Sequence, residues 1–246
     1  MTAAIGTVLA ALAFAAPAHA YRGPVPILTY HELRAAPPAP RSPASPSLWV
    51  PSARFDAQME ALARAGYHGV TLSQAWAAWH GGPALPPKPV VVSFDDGYAS
   101  QYAVAGPELR KLGWPGVLNL EASRLSAPGG LTRARVRALL AHGWELASHT
   151  LTHPDLTHVG RARLQREVAG SRSALRRTFG VPVRFFCYPY GRASGAVRAA
   201  VRRAGYTGAT TTHAGLAGRG TRADMLPRIG AGPRDTAAEL LRRLRG

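Results

Sequence analysis

The sequence is poor in cysteine, lysine and acidic side chains, and each shortage limits what the protein can be. Cys187 is the only cysteine, so no disulfide can form within the chain, and 246 residues bury enough apolar surface to fold without one. Lys88 and Lys111 are the only lysines among 30 basic residues, and all the others are arginines. With only 13 acidic residues the formal net charge is +17, which is consistent with a solvated cationic surface and with attraction to an anionic matrix such as a cell wall; the charge alone does not decide between them.

Long apolar runs are also missing, apart from one near the start of the chain. Ile5 to Ala16 has the length of the apolar region of a secretory signal and is too short to span a membrane comfortably. Ala18-His19-Ala20 fits a cleavage site, although no Lys or Arg precedes the apolar run, which leaves a mis-assigned start or an uncleaved short anchor open. We expect a signal peptide over residues 1–20, cleaved after Ala20, and a single secreted or wall-associated domain over 21–246.

Strand-like and helix-like segments alternate along the chain, with no internal repeat and no linker. The predicted strands are Val25–Thr29, Gly69–Leu72, Val90–Phe94, Gly116–Leu120, Glu145–Ala147, Arg184–Cys187 and Thr207–Thr211. The predicted helices are Ser52–Ala65, Ser73–Trp79, Ala103–Leu112, Arg133–Ala141, Arg161–Phe179, Gly195–Ala204 and Thr236–Arg245. This alternation over one domain predicts an α/β fold with a parallel sheet, either open or closed into a barrel.

Polar residues follow five of the predicted strands, at the point where each strand ends. They are His31, the pair Asp95-Asp96, His149, Tyr190 and His213. Parallel α/β folds place their active sites at the carboxyl ends of the strands, so we expect these side chains to lie close together.

Two motifs among these residues carry chemistry. Ser93-Phe94-Asp95-Asp96-Gly97 follows a run of valines, and His149-Thr150-Leu151-Thr152-His153 places two imidazoles four residues apart. One carboxylate and two imidazoles make a three-ligand zinc site with a position left for water, and the second carboxylate is free to act as a base. Singly, the first motif is also typical of a turn and the second of two polar loop or helix residues. Together they predict a metal-dependent hydrolase.

These motifs, with Phe186-Cys187-Tyr188-Pro189-Tyr190-Gly191, resemble the first three signatures of the polysaccharide deacetylases, which are the carbohydrate esterase family 4 enzymes with a NodB-homology domain. Val25-Pro26-Ile27-Leu28-Thr29-Tyr30-His31 is similar to the opening of the secreted members. Leu226-Pro227-Arg228-Ile229 resembles the closing strand of the subgroup that deacetylates poly-β-1,6-N-acetylglucosamine. The resemblance covers nearly all of the chain after residue 20.

The resemblance implies a distorted (β/α)7 barrel that hydrolyses N-acetyl groups of a wall or biofilm polysaccharide containing N-acetylglucosamine. It implies that Asp96, His149 and His153 bind a divalent metal, with Zn²⁺ the expected ion, and that Asp95 is the general base. The remaining implied site residues are Tyr190, whose backbone N–H faces the oxyanion, and Pro189 and Gly191, which fix its turn. From its position just after Asp96-Gly97, we also expect Tyr98 to line the cleft.

The chain departs from the family pattern at two places. Many members carry an arginine at the position of Cys187; we place Arg228 among the substrate-binding residues, and it is also a candidate to hold Asp95. The late Leu-x-His signature, which supplies the general acid, is missing, so His31 and His213 are the candidates for this catalytic role.

The expected partner is the polysaccharide substrate, with electrostatic attachment to an anionic wall as a second contact. The arginines are scattered and not grouped with aromatic residues, so we expect no nucleic acid, and no obligate protein partner is indicated. Two alternatives stay open at this point. One is an acetyl esterase or amidase on another glycan, such as xylan or chitin, and the other is a non-catalytic, basic wall-binding pseudoenzyme.

Overall fold

The strands and helices of the chain follow the predicted alternation. The computed structural model describes residues 20–35 and 48–244. The strands are β1 (Val25–Tyr30), β2 (Glu32–Arg34), β3 (Trp49–Pro51), β4 (His68–Gly69), β5 (Pro89–Asp96), β6 (Val117–Leu120), β7 (Glu145–Ser148), β8 (Phe185–Cys187), β9 (Gly208–Thr210), β10 (Leu216–Ala217) and β11 (Ile229–Gly230). The helices are α1 (Ser52–Arg64), α2 (Leu72–Trp79), α3 (Gly106–Lys111), α4 (Arg133–Ala141), α5 (Arg161–Gln165), α6 (Ser171–Phe179), α7 (Gly195–Arg203) and α8 (Ala237–Leu244).

Six parallel strands form the main sheet in the order β1-β5-β6-β7-β8-β9, with β4 added to β5 and β10 antiparallel to β1. Residues 226–230 connect its two edges. The backbone of Leu226 exchanges hydrogen bonds with β9, through Ala209 and Thr211, and β11 pairs in parallel with β1. These short pairings make residues 226–230 a seventh strand, as a distorted (β/α)7 barrel requires.

Alternation along β5 explains how the acidic residues reach the site. Val90, Val92 and Phe94 pack in the cluster that includes helix residues such as Phe55 and Met59, while Val91 packs in the second cluster with Ile27 and Val117 from neighbouring strands. Successive strand residues point to opposite faces. Ser93 and Asp95 therefore share the inner face with Val91, and Asp95 lies at the carboxyl end of the barrel interior.

Three predicted elements, Gly69–Leu72, Ala103–Leu112 and Arg161–Phe179, differ from the structure. Strand Gly69–Leu72 ends at Gly69, because Thr71 caps α2 by accepting a hydrogen bond from the Gln74 N–H, so that Leu72 begins the helix. The predicted helix Arg161–Phe179 is continuous but contains a π-helical segment, Arg166–Gly170, between α5 and α6. A second π-helical segment, Gln101–Ala105, precedes α3.

The predicted signal peptide lies outside the described residues, apart from Ala20. None of the helices described here has the length and apolarity needed to cross a membrane.

Candidate active site

Asp96, His149 and His153 form a compact group at the carboxyl ends of β5 and β7. The Nε2 atoms of the two histidines are 3.0 Å apart, and Asp96 Oδ1 lies 3.5 Å from Nε2 of His149 and 3.6 Å from Nε2 of His153. The three ligand atoms all lie within 4.8 Å of one another, as the atoms of a shared metal site do.

Unusual backbone conformations bring these three side chains together. Asp96, Thr150 and His153 have φ values of 71°, 72° and 55°, in a region that non-glycine residues seldom adopt. The Thr150 hydroxyl accepts a hydrogen bond from the His153 N–H at 2.9 Å, which fixes the tight loop between the two histidines. Strained backbone of this kind concentrates at functional sites.

Both imidazoles are set up to present Nε2 as a ligand. Nδ1 of His149 lies 2.8 Å from the Cys187 carbonyl oxygen, which can only accept, so Nδ1 carries a proton and Nε2 is the atom that faces the site. Burial lowers the pKa of His149, but Cys187 and the charges of Asp95 and Asp96 outweigh it and raise that pKa to about 10, so a cation bound at Nε2 would replace a proton. Burial, together with the neighbouring His149, lowers the pKa of His153 to about 4, so this imidazole is neutral at pH 7. A carboxylate with two imidazoles that both face the site with Nε2 is a donor set that fits a divalent cation such as zinc.

Asp95 is held by a different set of contacts. Arg228 donates from Nη1 to Oδ1 and from Nη2 to Oδ2, both at 2.8 Å, and Asn119 Nδ2 donates to Oδ1 at 2.7 Å. Burial raises the pKa of Asp95, but the Arg228 guanidinium outweighs it and holds that pKa well below its usual range. Asp95 also lies near His149 and Cys187 in a second possible ligand group. Its commitment to Arg228 and Asn119 makes this group the poorer metal site.

The small side chain of Cys187 makes room for the arginine. Its Sγ is buried 3.6 Å from Asp95 Oδ2, and Arg228, 3% exposed, enters from the strand formed by residues 226–230. The guanidinium is bound to Asp95 and to the Thr211 carbonyl, so its donors are committed to groups of the protein. The structure therefore places Arg228 as the partner of Asp95.

The two candidate proton carriers lie in different surroundings. His31 follows β1, and its Nε2 is 3.7 Å from Asp95 Oδ2 at the edge of a cavity of about 340 Å³. Burial lowers the pKa of His31, and the charge of Asp95 only partly offsets this effect. His213 is exposed after β9, where its carbonyl accepts a hydrogen bond from the Arg228 N–H. Only His31 is placed with its ring against Asp95.

The remaining predicted residues form the rim. Tyr190 is 57% exposed, has a φ of 57° and packs its ring edge-on against His153. Pro189 and Gly191 flank it in a buried turn, and a side chain at Gly191 would overlap Thr212.

Tyr98 follows β5 on the same side of the barrel as Asp96. Burial, with Asp96 nearby, raises the pKa of Tyr98 to about 12. Its phenol is therefore protonated and able to donate a hydrogen bond at neutral pH.

Three buried residues of the site were not predicted from the sequence. Asn119, on β6, holds the Asp95 carboxylate, and Gln101 donates to the Asp95 carbonyl at 2.6 Å. Glu167 accepts the backbone N–H groups of Leu151 and Thr152, each at 3.0 Å, and so holds the loop between the histidines. A polar residue inside an apolar strand marks Asn119, whereas Gln101 and Glu167 lie in π-helical segments that no sequence pattern indicated.

The comparisons with known proteins agree with this geometry. The sequence profile of a family described as polysaccharide deacetylase matches residues 82–209, just over half of the chain. A putative polysaccharide deacetylase of Bacillus subtilis is 28% identical over 209 residues, and the match covers 85% of this chain and 72% of that protein. The poly-β-1,6-N-acetyl-D-glucosamine N-deacetylase of Escherichia coli is 27% identical, but the match covers 67% of this chain and only 31% of that enzyme.

Solved structures share the fold. A Streptococcus pyogenes deacetylase determined with acetate superposes with a TM-score of 0.83 at 24% identity, covering 91% of this chain and 99% of that one. A polysaccharide deacetylase from Bacillus cereus gives a TM-score of 0.78 at 25% identity, covering 90% of this chain and 69% of that one.

Proposed function

The chain belongs to the polysaccharide deacetylase family, and on this premise we propose that it hydrolyses the N-acetyl groups of a polysaccharide that contains N-acetylglucosamine. One observation carries the proposal: two adjacent carboxylates have separate partners. Asp96 faces two imidazoles, and Asp95 is bound to Arg228. Two neighbouring carboxylates in such different surroundings can take different roles in one reaction.

Asp96, His149 and His153 would hold the divalent cation, for which we propose zinc. When bound, the cation supplies a Lewis acid that polarises the acyl oxygen and makes water acidic enough to react near neutral pH. The support for zinc is the donor set itself, a carboxylate with two imidazoles.

The residues of the chain then orient water and move its protons. Asp95 stays ionised because of Arg228, so it accepts a hydrogen bond from the attacking water and orients it. The water oxygen bonds to the acyl carbon, and the carbon–nitrogen bond breaks. A water proton ends on the departing amine; His31, neutral and next to Asp95, is the group placed to carry it. The Tyr190 N–H would stabilise the charge that develops on the acyl oxygen.

Two observations favour a poly-N-acetylglucosamine substrate. The E. coli relative is named for activity on poly-β-1,6-N-acetyl-D-glucosamine. In addition, the arginine that holds Asp95 comes from the strand whose sequence, Leu226-Pro227-Arg228-Ile229, resembles the corresponding strand of that subgroup. We also propose secretion, or attachment to the wall, from the apolar N-terminal run and the net charge of +17.

Acetate release by the zinc-loaded protein tests the proposal. The substrates are β-1,6 and β-1,4 oligomers of N-acetylglucosamine, peptidoglycan and acetylated xylan. We expect acetate release from the β-1,6 oligomers. This release should be lost in Asp95→Asn and on chelation of the metal, and retained in Asp56→Asn, a control on helix α1. Release from xylan alone would indicate an esterase. Glycan binding without any release, in the wild type as in Asp95→Asn, would indicate a wall-binding pseudoenzyme.

A further inference from the structure

A cavity of about 830 Å³ lies at the end of the barrel opposite the candidate active site. It is lined by residues of α6, the link to β8 and the residues before β9. Arg184 immediately precedes β8 and Thr207 immediately precedes β9, at their amino ends. The candidate active site lies at the carboxyl ends of these strands, so the two openings face different directions. We call this cavity the arginine groove.

Four arginines line the groove: Arg172, Arg176, Arg177 and Arg184. The lining contains no Asp or Glu, and within residues 20–35 and 48–244 none of the four has a carboxylate oxygen within 4 Å. Uncompensated positive charge in a concave surface concentrates the field and attracts anions.

Arg172 is held in place before any ligand arrives. Its Nε donates to the Val183 carbonyl at 2.9 Å and its Nη1 to the Ala204 carbonyl at 3.0 Å, and its guanidinium lies 5.4 Å from the centre of the Tyr206 ring. Carbonyl oxygens fix the group without neutralising its charge. Gly205, with a φ of 79°, leaves the space in front of Nη1 open, because a side chain there would come within 3.1 Å of that atom. A fixed guanidinium loses little entropy when it binds an oxyanion.

The groove continues on both sides, which favours a chain-like ligand over a single ion. A cavity of about 260 Å³, which Glu145 also lines, shares Arg184 with it, and another of about 590 Å³ shares Thr207. The latter is lined by Arg202 and Arg222, which both pair with one carboxylate, Asp224, so positive charge exceeds negative there as well.

We propose that the arginine groove binds a flexible anionic polymer that carries phosphate groups along its chain. Guanidinium forks match phosphate oxygens in pairs, and several spaced forks match repeated phosphates. The groove lining contains no aromatic residue, and the ring of Tyr206 is covered by Arg172, so no platform for stacking bases is offered. The protein would then hold such a polymer at one end of the barrel while the other end stays open.

The test of this proposal is the binding of a short inorganic polyphosphate to the full chain, measured by calorimetry at two salt concentrations. The groove variant is Arg176→Gln/Arg177→Gln/Arg184→Gln, which alters exposed side chains only. Its control is Arg110→Gln/Arg133→Gln/Arg135→Gln, with exposed arginines on α3 and α4 and the same net charge. We expect the groove variant to weaken binding roughly tenfold or more and the control to stay within about twofold. Thermal unfolding of each variant verifies that it is folded.

Equal weakening in both variants, or no binding by the wild type, would overturn the proposal, because general charge attraction would then suffice. Polyglutamate and single-stranded DNA distinguish other sources of negative charge. Tighter, groove-dependent binding of polyglutamate would replace phosphate by carboxylate as the recognised group, and the same result with DNA would make the groove a nucleic-acid site. Acetate release is expected to be equal in the groove variant and the wild type, so this test and that of the catalytic proposal fail independently.

Discussion

Arg228 binds the carboxylate of Asp95 from a strand 133 residues further along the chain, with two parallel hydrogen bonds of 2.8 Å. Both side chains are almost wholly buried, with exposed fractions of 2% and 3%. The pair fixes the direction of the carboxylate and keeps it ionised. A buried charge left without its partner is strongly destabilising, so this contact links the stability of the barrel to its chemistry.

Replacing Arg228 by methionine is expected to change the pH dependence of stability. In the wild type the folded pKa of Asp95 lies below its unfolded value of about 4, so its contribution is present above that pH and lost as pH falls below it. In Arg228→Met the charge that outweighs burial is lost, so burial raises the folded pKa of Asp95. The stabilising ion pair is then replaced by the free-energy cost of ionising a buried carboxylate, and this cost grows as pH rises. We expect a loss of roughly 3–5 kcal/mol at pH 7.5 and a smaller loss at pH 5.

Urea unfolding of the chelator-treated proteins at these two pH values measures the effect. Arg110→Met, on the exposed end of α3, is the matched control and should change the unfolding free energy by less than about 0.5 kcal/mol. Arg228→Lys keeps the positive charge but loses the paired hydrogen bonds of the guanidinium. Its unfolding free energy should lie between those of Arg228→Met and Arg110→Met, so the prediction can still be tested if the methionine variant does not fold. If Arg228→Met lowers the unfolding free energy by the same amount at both pH values, Arg228 does not set the pKa of Asp95.

A second prediction distinguishes His31 from His213 as the residue that carries the proton. His31→Ala should lower kcat roughly 100-fold with little change in KM, because the ring lies against Asp95, where we propose that it carries a proton to the departing amine. Added imidazole should restore part of the lost rate, which a purely structural effect would not allow. His213→Ala, which changes an exposed side chain, should stay within about twofold of the wild type. The reverse ranking, with His213 needed and His31 dispensable, would refute the assignment.

Local sequence patterns were enough to predict much of the fold and the aspartate and histidine residues of the site. The valine run of β5 placed Asp95 and Asp96 at the end of a central strand, and the two histidines lie in one short loop. The sequence left two roles open for Arg228, substrate binding or holding Asp95, because its contact depends on how the last strand closes the barrel. The two-residue strands β4, β10 and β11 are defined by pairing with β5 and β1 and leave no periodic signal.

The residues that support the site from the surrounding helices were not predicted from the sequence, for a related reason. Gln101 and Glu167 each reach the site from a π-helical segment, where the helix is widened by one residue per turn. Such a segment arises from tertiary contacts, and a helical pattern of apolar residues continues across it. Sequence periodicity therefore indicated the helices but not which of their polar side chains turn inwards.

Glu167 should act on metal affinity without touching the metal. It accepts hydrogen bonds from the backbone of Leu151 and Thr152 and from the Thr152 hydroxyl, and so holds the loop that carries both histidines. Glu167→Gln removes one acceptor oxygen and places an N–H₂ group against N–H donors. We expect zinc affinity to fall roughly 10- to 100-fold, as competition with a coloured chelator would measure, and activity to recover at saturating zinc. Glu60→Gln, on the exposed face of α1, should leave affinity unchanged; lost activity with unaltered affinity would contradict this role.

Tyr190 provides the last prediction, because its backbone and its ring have different expected roles. The φ of 57° and the buried turn position the N–H, whereas the ring is exposed beside His153 and is free to pack against a sugar. Tyr190→Ala keeps the N–H, so we expect KM for the glycan oligomer to rise severalfold while kcat changes less than about threefold. Tyr190→Phe should resemble the wild type, since stacking needs the ring and not the hydroxyl. A large fall in kcat for both variants, at constant KM, would instead mean that the hydroxyl acts in the transition state.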